Sequence, residues 1–327
     1  MKSSLSGFEK RLLNILQTGL PLVERPYARI AEIQGSSEKR VLDKTRELVE
    51  RGLIRRIGVV VNWLAVGRAS TLVAACVPER QLEEVVAAVN GLKGVSHNYL
   101  RRHNYNLWFT LRAGSQSEIK TILAELSKRF GPEFHSLPVR RVFKLDVRFD
   151  AQSNGRRLLP AKHRALSGER RRSKLNAIDK RILERLESDL EVVARPFDFF
   201  DDEFENSDCL LHIAEMIERG VIYRIGAVVN HNKLGFTANA MFVCGVSEAK
   251  AVKVGRELAK LNIVSHCYQR RTFADWPYNL YGMMHGRGHK DIRQSAERFV
   301  RRHEIEKWDL LATEKRVSGL RKGHEKS

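Results

Sequence analysis

The sequence predicts an α+β protein built as a tandem duplication of one module, a winged helix-turn-helix followed by a ferredoxin-like βαββαβ domain. Three observations support this fold class. The chain has 327 residues, enough for two or more domains of about 100–200 residues each. Its two halves carry the same motifs in the same order. Each half also passes from helical to strand periodicity at a matching point.

The internal repeat is the most specific of these observations. Residues 56–62 (RIGVVVN) recur as residues 224–230 (RIGAVVN), and residues 95–97 (VSH) recur as residues 264–266. Shorter matches between these points keep the same order and nearly the same spacing. A motif set present twice indicates a duplication and not a solenoid array, which would need more repeats.

The first part of each copy has the pattern of a winged helix-turn-helix. In copy one, apolar residues with helical spacing run through residues 8–17. Ser37 is a suitable N-cap for a later helix, and Gly52 is a suitable stop at the C-terminal end of that helix. The β-rich run at residues 54–61 is then the expected wing.

The second part of each copy follows a βαββαβ order. In copy one the expected elements are strand 71–77, helix 81–92, strand 95–100, strand 104–112, helix 117–130 and strand 137–149. In copy two they are strand 238–245, helix 250–261, strand 264–270, strand 279–285, helix 291–303 and a final strand near 308–313. The predicted domains are a winged helix at 1–62, an αβ domain at 63–150, a linker at 151–174, a winged helix at 175–231 and an αβ domain at 232–327.

The charge of the chain points to an anionic partner. The net charge is +19, which suits nucleic acid or a small molecule with many carboxylates. Part of the excess lies in residues 151–174, where eight Lys and Arg accompany one acid. This segment is read as an exposed basic linker, so some of the charge needs no ligand.

The remaining composition indicates a soluble cytoplasmic protein without a metal site of its own. No apolar run approaches the roughly 18 residues of a membrane span, and the N-terminus lacks a signal-peptide pattern. The cysteines have neither CxxC nor zinc spacing, so reduced thiols are expected at Cys76, Cys209, Cys244 and Cys267.

The candidate chemistry lies on one predicted strand of each copy. Both strands contain a His-x-Tyr-x-Arg-Arg motif, in which alternation places the first three named side chains on one face. A face buried only for packing would carry Val, Ile or Phe, whereas a polar row suggests a lined pocket. The residues concerned are His97, Tyr99 and Arg101 in copy one, and His266, Tyr268 and Arg270 in copy two.

Further binding residues are expected beside these rows. Aromatic side chains would stack on a flat ligand, and arginines would hold carboxylates through paired hydrogen bonds. The candidates are Arg102, Asn106 and Trp108 in copy one, and Arg271, Trp276, Tyr278 and Asn279 in copy two. A packing role for the two tryptophans, and a surface or inter-copy role for Arg102 and Arg271, remain alternatives.

The combination of a winged helix with a βαββαβ domain resembles the Lrp/AsnC transcription regulators. That resemblance implies pairing through the sheets, so the two copies are expected to form an internal pseudo-dimer. It also raises DNA binding as an alternative function. The stretch 198–208 of copy two, which corresponds to the reading helix, is however strongly acidic and would repel phosphates. We therefore expect no nucleic-acid partner, and a winged helix kept as scaffold.

A more specific resemblance is carried by residues 95–111 (VSHNYLRRHNYNLWFTL) and 264–286 (VSHCYQRRTFADWPYNLYGMMHG). These segments are similar to the two subunit types of the siroheme decarboxylases, and the likeness extends over nearly the whole chain except the linker. The single-chain form is similar to the fused proteins of the d1-type haem pathway. The final strand of copy two, residues 312–318, matches the family pattern less closely than that of copy one.

The resemblance implies a reaction. Siroheme would lose the carboxyl groups of two acetate side chains and give 12,18-didecarboxysiroheme, with siroheme and related iron tetrapyrroles as ligands. It also implies that no organic cofactor takes part and that the iron belongs to the substrate. His97 and His266 are the expected catalytic residues, as acids, as carboxylate anchors or as an axial ligand of the substrate iron. The sequence leaves these roles open, together with the productive pocket, the order of the two decarboxylations and any association of whole chains. A haem-responsive regulator and a tetrapyrrole carrier are the other candidate functions.

Overall fold

The computed structural model describes residues 5–63, 65–145, 147–158, 173–186, 188–198 and 209–317. Two predictions therefore lie largely outside the described residues, namely most of the linker and most of the acidic stretch in copy two. The chain divides into two compact units. The first contains the described residues of 1–66, 147–162 and 169–237, and the second contains those of 67–146 and 238–317. None of the helices described is long and apolar enough to cross a bilayer.

The elements follow one another in the order predicted for two copies. They are α1 (Gly7–Thr18), α2 (Pro26–Gln34), α3 (Glu38–Glu50), β1 (Ile54–Val61), β2 (Ala69–Ala75), α4 (Leu82–Gly91), β3 (Val95–Arg101), β4 (Leu107–Ala113), α5 (Gln116–Phe130), β5 (Phe134–Leu145), α6 (Ala177–Leu186), α7 (Cys209–Glu218), β6 (Ile222–Val229), β7 (Ala238–Gly245), α8 (Glu248–Lys260), β8 (Val264–Arg270), β9 (Leu280–Gly286), α9 (His289–His303) and β10 (Lys307–Arg316).

The helix ends in the first unit follow the capping chemistry of the sequence. Ser6 and Glu9 form a reciprocal capping box at the start of α1. Ser37 caps α3 by accepting a hydrogen bond from the backbone N–H of Arg40, as predicted. Gly52 follows the end of α3 with a φ of +63°, in the left-handed region that favours glycine. The predicted bounds of α3 are thereby confirmed.

The predicted wing takes a different form in the structure. β1 pairs with β6 of the other copy in an antiparallel two-stranded sheet centred on Gly58 and Gly226. Each predicted wing strand finds its hydrogen-bond partner across the repeat, so the wings of the two copies share one sheet. A Cβ at Gly226 would lie 2.5 Å from the carbonyl oxygen of Leu16, so this strand packs against α1 at a distance that only glycine permits.

The start of the predicted linker is also packed and not exposed. Ala151 and Leu158 are buried in the core of the first unit. The buried carboxylate of Asp150 accepts a hydrogen bond from Arg157 at 2.7 Å. Phe149, which had been assigned to the last strand of copy one, packs against Phe236 in the same core. That strand ends earlier, at Leu145, because the apolar side chains after it belong to the first unit.

The second unit is a closed eight-stranded barrel. Its strand order is β10-β3-β4-β2-β5-β8-β9-β7, and every neighbouring pair is antiparallel. The βαββαβ order of each copy is confirmed. The final strand of each copy crosses to the other, since β5 pairs with β8 and β10 pairs with β3. This exchange realises the predicted pseudo-dimer within one chain.

Two faces of the barrel strands have different neighbours. The outer face packs on the helices through two apolar clusters, one in each copy. The inner face holds a third cluster, to which six different strands or their loops contribute. Its buried members are Ala74, Trp108, Leu137, Met241, Val243, Trp276, Tyr281 and Leu311. The candidate residues of both copies lie on this inner face or beside it.

Candidate functional site

In copy one, the polar row of β3 lies on the inner face of the barrel. His97 is paired with Thr110 of β4, and Tyr99 is paired with Trp108, whose indole belongs to the inner cluster. The intervening Asn98 instead reaches α4, where its amide donates to Asn90. The strand alternation predicted for this row is therefore confirmed.

Copy two repeats this arrangement in β8. His266 is paired with Met283 of β9, and Tyr268 is paired with Tyr281. Between them, Cys267 is buried in the cluster that faces the helices. The spacing of the rings is also alike, since the imidazole and phenol centroids are 6.3 Å apart in copy one and 6.0 Å apart in copy two.

The third member of each row is a guanidinium group without a carboxylate partner. Nη1 of Arg101 donates to the carbonyl oxygen of Leu311 at 2.8 Å and to the hydroxyl of Thr313 at 3.0 Å. Nη1 of Arg270 donates to the carbonyl oxygen of Leu137 at 2.8 Å. The buried Nε of each arginine has no hydrogen-bond partner among the residues described.

Burial affects the charge of both arginines. Desolvation lowers the pKa of Arg101 to about 10, and it also lowers the pKa of Arg270. Each guanidinium lies over a tyrosine ring of its own strand, at 5.5 Å from the Tyr99 centroid and 4.8 Å from the Tyr268 centroid. These ring contacts compensate only part of the lost hydration. An anionic ligand would supply the missing partner.

The histidine of copy one is held near two further arginines. Oγ of Ser96 lies 3.0 Å from Nδ1 of His97. The His97 side chain is exposed, and desolvation by the groups around it, followed by the charges of Arg316 and Arg112, lowers its pKa to about 4. His97 is therefore a neutral imidazole near neutral pH in the ligand-free protein.

The histidine of copy two has a different neighbour. Oγ of Ser265 lies 2.9 Å from Nδ1 of His266 and 2.8 Å from Nε2 of His285. Ser265 and His285 are both buried, whereas His266 is partly exposed. Burial also raises the pKa of Tyr268 to about 12, so this phenol stays protonated. The two rows thus match in residue type and differ in what surrounds the imidazole.

Both tryptophans have packing roles, which departs from the expected stacking surface. Trp108 and Trp276 are 1% and 2% exposed, and their ring centroids are 5.3 Å apart. Nε1 of Trp108 donates to the carbonyl oxygen of Tyr105 at 2.6 Å, and Nε1 of Trp276 donates to the hydroxyl of Tyr281 at 2.6 Å. Neither indole offers an open face, because the closed barrel packs them against each other.

The asparagines likewise serve the fold. The side-chain amide of Asn106 donates to the carbonyl oxygen of Val77 and accepts from the N–H of Val77, at 2.8 and 2.9 Å. Asn279 forms the same pair of bonds with Val246, at 2.8 and 3.1 Å. Both polar ends of these amides are used by the backbone beyond β2 and β7, which is a structural role, and the expected contact with a ligand stays a prediction.

The remaining candidates lie where each strand ends. Arg102 and Arg271 are exposed and follow the last interior residue of β3 and β8, which agrees with the surface alternative. Tyr278 is partly buried against Trp276, with ring centroids 4.8 Å apart. Desolvation and the charge of Asp309 raise the pKa of Tyr278.

Several site residues were not predicted from the sequence. Ser96 and Ser265 precede the two histidines in both copies, so the repeated Val-Ser-His motif was an available signal. Arg112 and His285 occupy equivalent strand positions but differ in type, and Arg316 reaches His97 from the final strand of the other copy. Only the three-dimensional pairing of strands places these residues beside the imidazoles.

The winged helix of copy one does not present an unopposed basic surface. On α3, Arg46 pairs with Asp43 at 3.3 Å and Lys44 pairs with Glu47 at 2.6 Å. These acids would oppose phosphate binding, as the sequence indicated. Over the described part of the chain, no cluster of three or more His, Cys, Asp or Glu side chains could hold a metal ion.

Comparison with known domains agrees with the two-part organisation of copy one and with the αβ domain of both copies. Residues 65–144 and 233–317 match the AsnC-like ligand binding domain. Residues 9–55 match the siroheme decarboxylase NirDL-like HTH domain. The ligand-binding matches coincide with the two halves of the barrel, where the polar rows lie.

Whole-chain comparison extends this agreement. The chain is 35% identical to a siroheme decarboxylase of Hydrogenobacter thermophilus, over 95% of this chain and 93% of that protein. It is 33% identical to the siroheme decarboxylase NirDL subunit of Paracoccus denitrificans, over 89% and 88%. A crystal structure of the siroheme decarboxylase NirDL with an iron-uroporphyrin III analogue aligns with a TM-score of 0.71 at 33% identity, over 97% and 93%. The chain therefore belongs to the siroheme decarboxylase family, in its fused NirDL form.

Proposed function

We propose that this protein removes the carboxyl groups of two acetate side chains of siroheme, giving 12,18-didecarboxysiroheme on the route to heme d1. The names of its relatives support the reaction class. The iron-uroporphyrin III analogue in the related crystal structure supports an iron tetrapyrrole as ligand. In this proposal the iron is part of the substrate and no organic cofactor takes part.

The observation that carries the proposal is the presence of two interior guanidinium groups, Arg101 and Arg270, that have no carboxylate partner within the described part of the chain. A buried cation is costly unless an anion accompanies it. Siroheme carries several carboxylates on the rim of a flat macrocycle, and Arg binds carboxylates through directed hydrogen bonds. We expect these two residues to hold side chains that remain on the product.

The histidines supply the proton chemistry. Loss of CO₂ from an acetate leaves an electron pair on the methylene carbon, which must be protonated to give a methyl group. An imidazole can deliver that proton near neutral pH, and general acid catalysis of this kind contributes about 10²–10⁴-fold. His97 and His266 are the candidates in the two rows, and anchoring a carboxylate or ligating the substrate iron remain alternative roles. His97 is neutral in the ligand-free protein near neutral pH, so its role as an acid requires the carboxylates of a bound substrate to raise its pKa. Tyr99 and Tyr268 would line the same surface.

The location of the reaction is proposed to be the cytoplasm. All four cysteines are free thiols in the structure. Reduced thiols are usual in a reducing compartment, which supports this location.

The test is an anaerobic incubation of the purified protein with siroheme, followed by mass analysis of the pigment. We expect successive loss of two CO₂ molecules and a stoichiometric release of CO₂. Siroheme returned unchanged from a tight complex would contradict the proposal and indicate a carrier. A salt-dependent shift of a DNA probe without decarboxylation would instead indicate a regulator.

A further inference from the structure

Two buried side chains beside His266 in copy two, Ser265 and His285, have no role in the function proposed above. Oγ of Ser265 lies 2.9 Å from Nδ1 of His266 and 2.8 Å from Nε2 of His285, and both distances are shorter than its 3.4 Å contact with the carbonyl oxygen of Met283. A hydroxyl can donate to one nitrogen and accept from the other, so Ser265 connects the two rings. A bulge in β8 between Val264 and His266 brings Ser265 into this position.

We propose that His285 is a positioning residue that acts through Ser265 on His266, fixing its tautomer and returning a proton to it. This inference rests on the proposed decarboxylation. When His285 donates from Nε2 to Ser265, the hydroxyl donates to Nδ1 of His266 and leaves the exchangeable proton of that ring on Nε2. The ring is thereby prepared as an acid.

The transfer balances without any oxidant or reductant. The bond between the acetate methylene carbon and its carboxylate breaks, CO₂ leaves, and the electron pair stays on the methylene carbon. Nε2 of His266 gives its proton to that carbon and a methyl C–H bond forms. The Ser265 proton passes to Nδ1 of His266, and an imidazolium His285 passes its Nε2 proton to Ser265. Both rings are then neutral. Solvent protonates Nε2 of the partly exposed His266, whose Nδ1 proton passes to Ser265 while the Ser265 proton passes to Nε2 of His285, and this restores the starting state.

Copy one lacks the corresponding chain. Ser96 contacts Nδ1 of His97 in the same way, but Arg112 occupies the strand position that His285 has in copy two. A guanidinium keeps its proton near neutral pH and cannot return one. The geometry therefore assigns proton delivery to copy two, whereas copy one is suited to holding carboxylates.

The test compares steady-state siroheme turnover in the full-length wild type and in four variants. His285→Gln keeps a donor but cannot ionise, and Ser265→Ala removes the connecting hydroxyl. We expect each to lower kcat about 10- to 100-fold, the usual effect of removing a group that orients a functional histidine. The siroheme dissociation constant, measured by absorbance titration, should stay at the wild-type value. Ser96→Ala should lower kcat less than Ser265→Ala does. His289 is an exposed histidine on α9, so His289→Gln is the control for loss of an imidazole outside the site.

A second measurement does not depend on turnover. Ring nitrogen NMR of the ligand-free protein should show one dominant His266 tautomer in the wild type and a mixture in Ser265→Ala, with Ser265→Thr restoring the wild-type spectrum. The inference would be overturned if kcat were unchanged in His285→Gln, or if Ser96→Ala lowered kcat as much as Ser265→Ala. It would also be overturned if siroheme binding and thermal stability fell together with kcat in these variants. Absence of wild-type turnover would overturn the proposed function as well, whereas wild-type turnover with an unaffected His285→Gln would overturn this inference alone.

Discussion

The two interior guanidinium groups show how binding and stability oppose each other at single residues. Replacing Arg101 or Arg270 by Met keeps most of the side-chain volume and removes a buried charge that has no carboxylate partner. We expect siroheme binding to weaken about 10- to 100-fold, because a charge-assisted hydrogen bond contributes about 1.5–3 kcal/mol. We expect the Tm of the ligand-free protein to stay equal or rise. Absorbance titration and thermal unfolding measure the two effects, and a lower Tm with unchanged binding would contradict this reading.

The depressed pKa of His97 predicts a specific pH dependence of stability. Its folded pKa of about 4 lies below the ordinary value of 6.5, so between these values the unfolded chain binds more protons at this residue. The contribution of His97 to stability is therefore intact above pH 6.5 and is lost progressively as the pH falls toward 4. His97→Gln should lose less stability than the wild type between about pH 7 and pH 4.5. Urea unfolding at both pH values measures this difference, and equal losses in the two proteins would contradict it.

The residue types of the site were predictable, but their partners were not. The His-x-Tyr-x-Arg rows could be assigned to one strand face because strand alternation is local. The sequence could not show that the amides of Asn106 and Asn279 bind the backbone of Val77 and Val246, which are far away in sequence. Arg316 could not be placed beside His97 without knowing which strands pair across the copies.

At the scale of single elements, the packing of β6 on α1 gives a sharp prediction. Gly226→Ala would place a Cβ 2.5 Å from the carbonyl oxygen of Leu16, so backbone must move. We expect a loss of about 1–3 kcal/mol in the free energy of unfolding, as for other overpacked sites. Gly91→Ala in α4 is the matched control, because its added Cβ meets nothing within 4 Å. Equal stability of the two variants in thermal unfolding would refute the close approach.

The elements themselves were largely predictable from periodicity, and their ends were less so. Strands β7 and β8 have the predicted bounds, because turn residues flank alternating apolar runs. β4 begins at Leu107 and not at residue 104, since the preceding residues form the loop that Asn106 ties to Val77. The strand of the wing was predicted, but its partner strand was not, because a single strand carries no information on which copy completes its sheet.

At the scale of the whole molecule, closure of the barrel requires both copies. Residues 1–150 and 175–327 expressed separately would each lack the final strand that completes its own histidine row, since β10 pairs with β3 and β5 pairs with β8. We expect neither fragment alone to convert siroheme and the co-expressed pair to recover activity. Co-purification and turnover assays test this, and full activity of one fragment would contradict it. Barrel closure was beyond prediction because it depends on pairing between distant strands.

The crossing of final strands also bears on how the two halves can diverge. Arg316 is part of the second copy of the duplicated module. A substitution at Arg316 nevertheless changes the surroundings of His97, which is part of the first copy. Selection on either pocket therefore acts on both halves of the gene at once. A fused reading frame keeps the two halves inherited together, so compensating changes on opposite sides of the duplication are never separated.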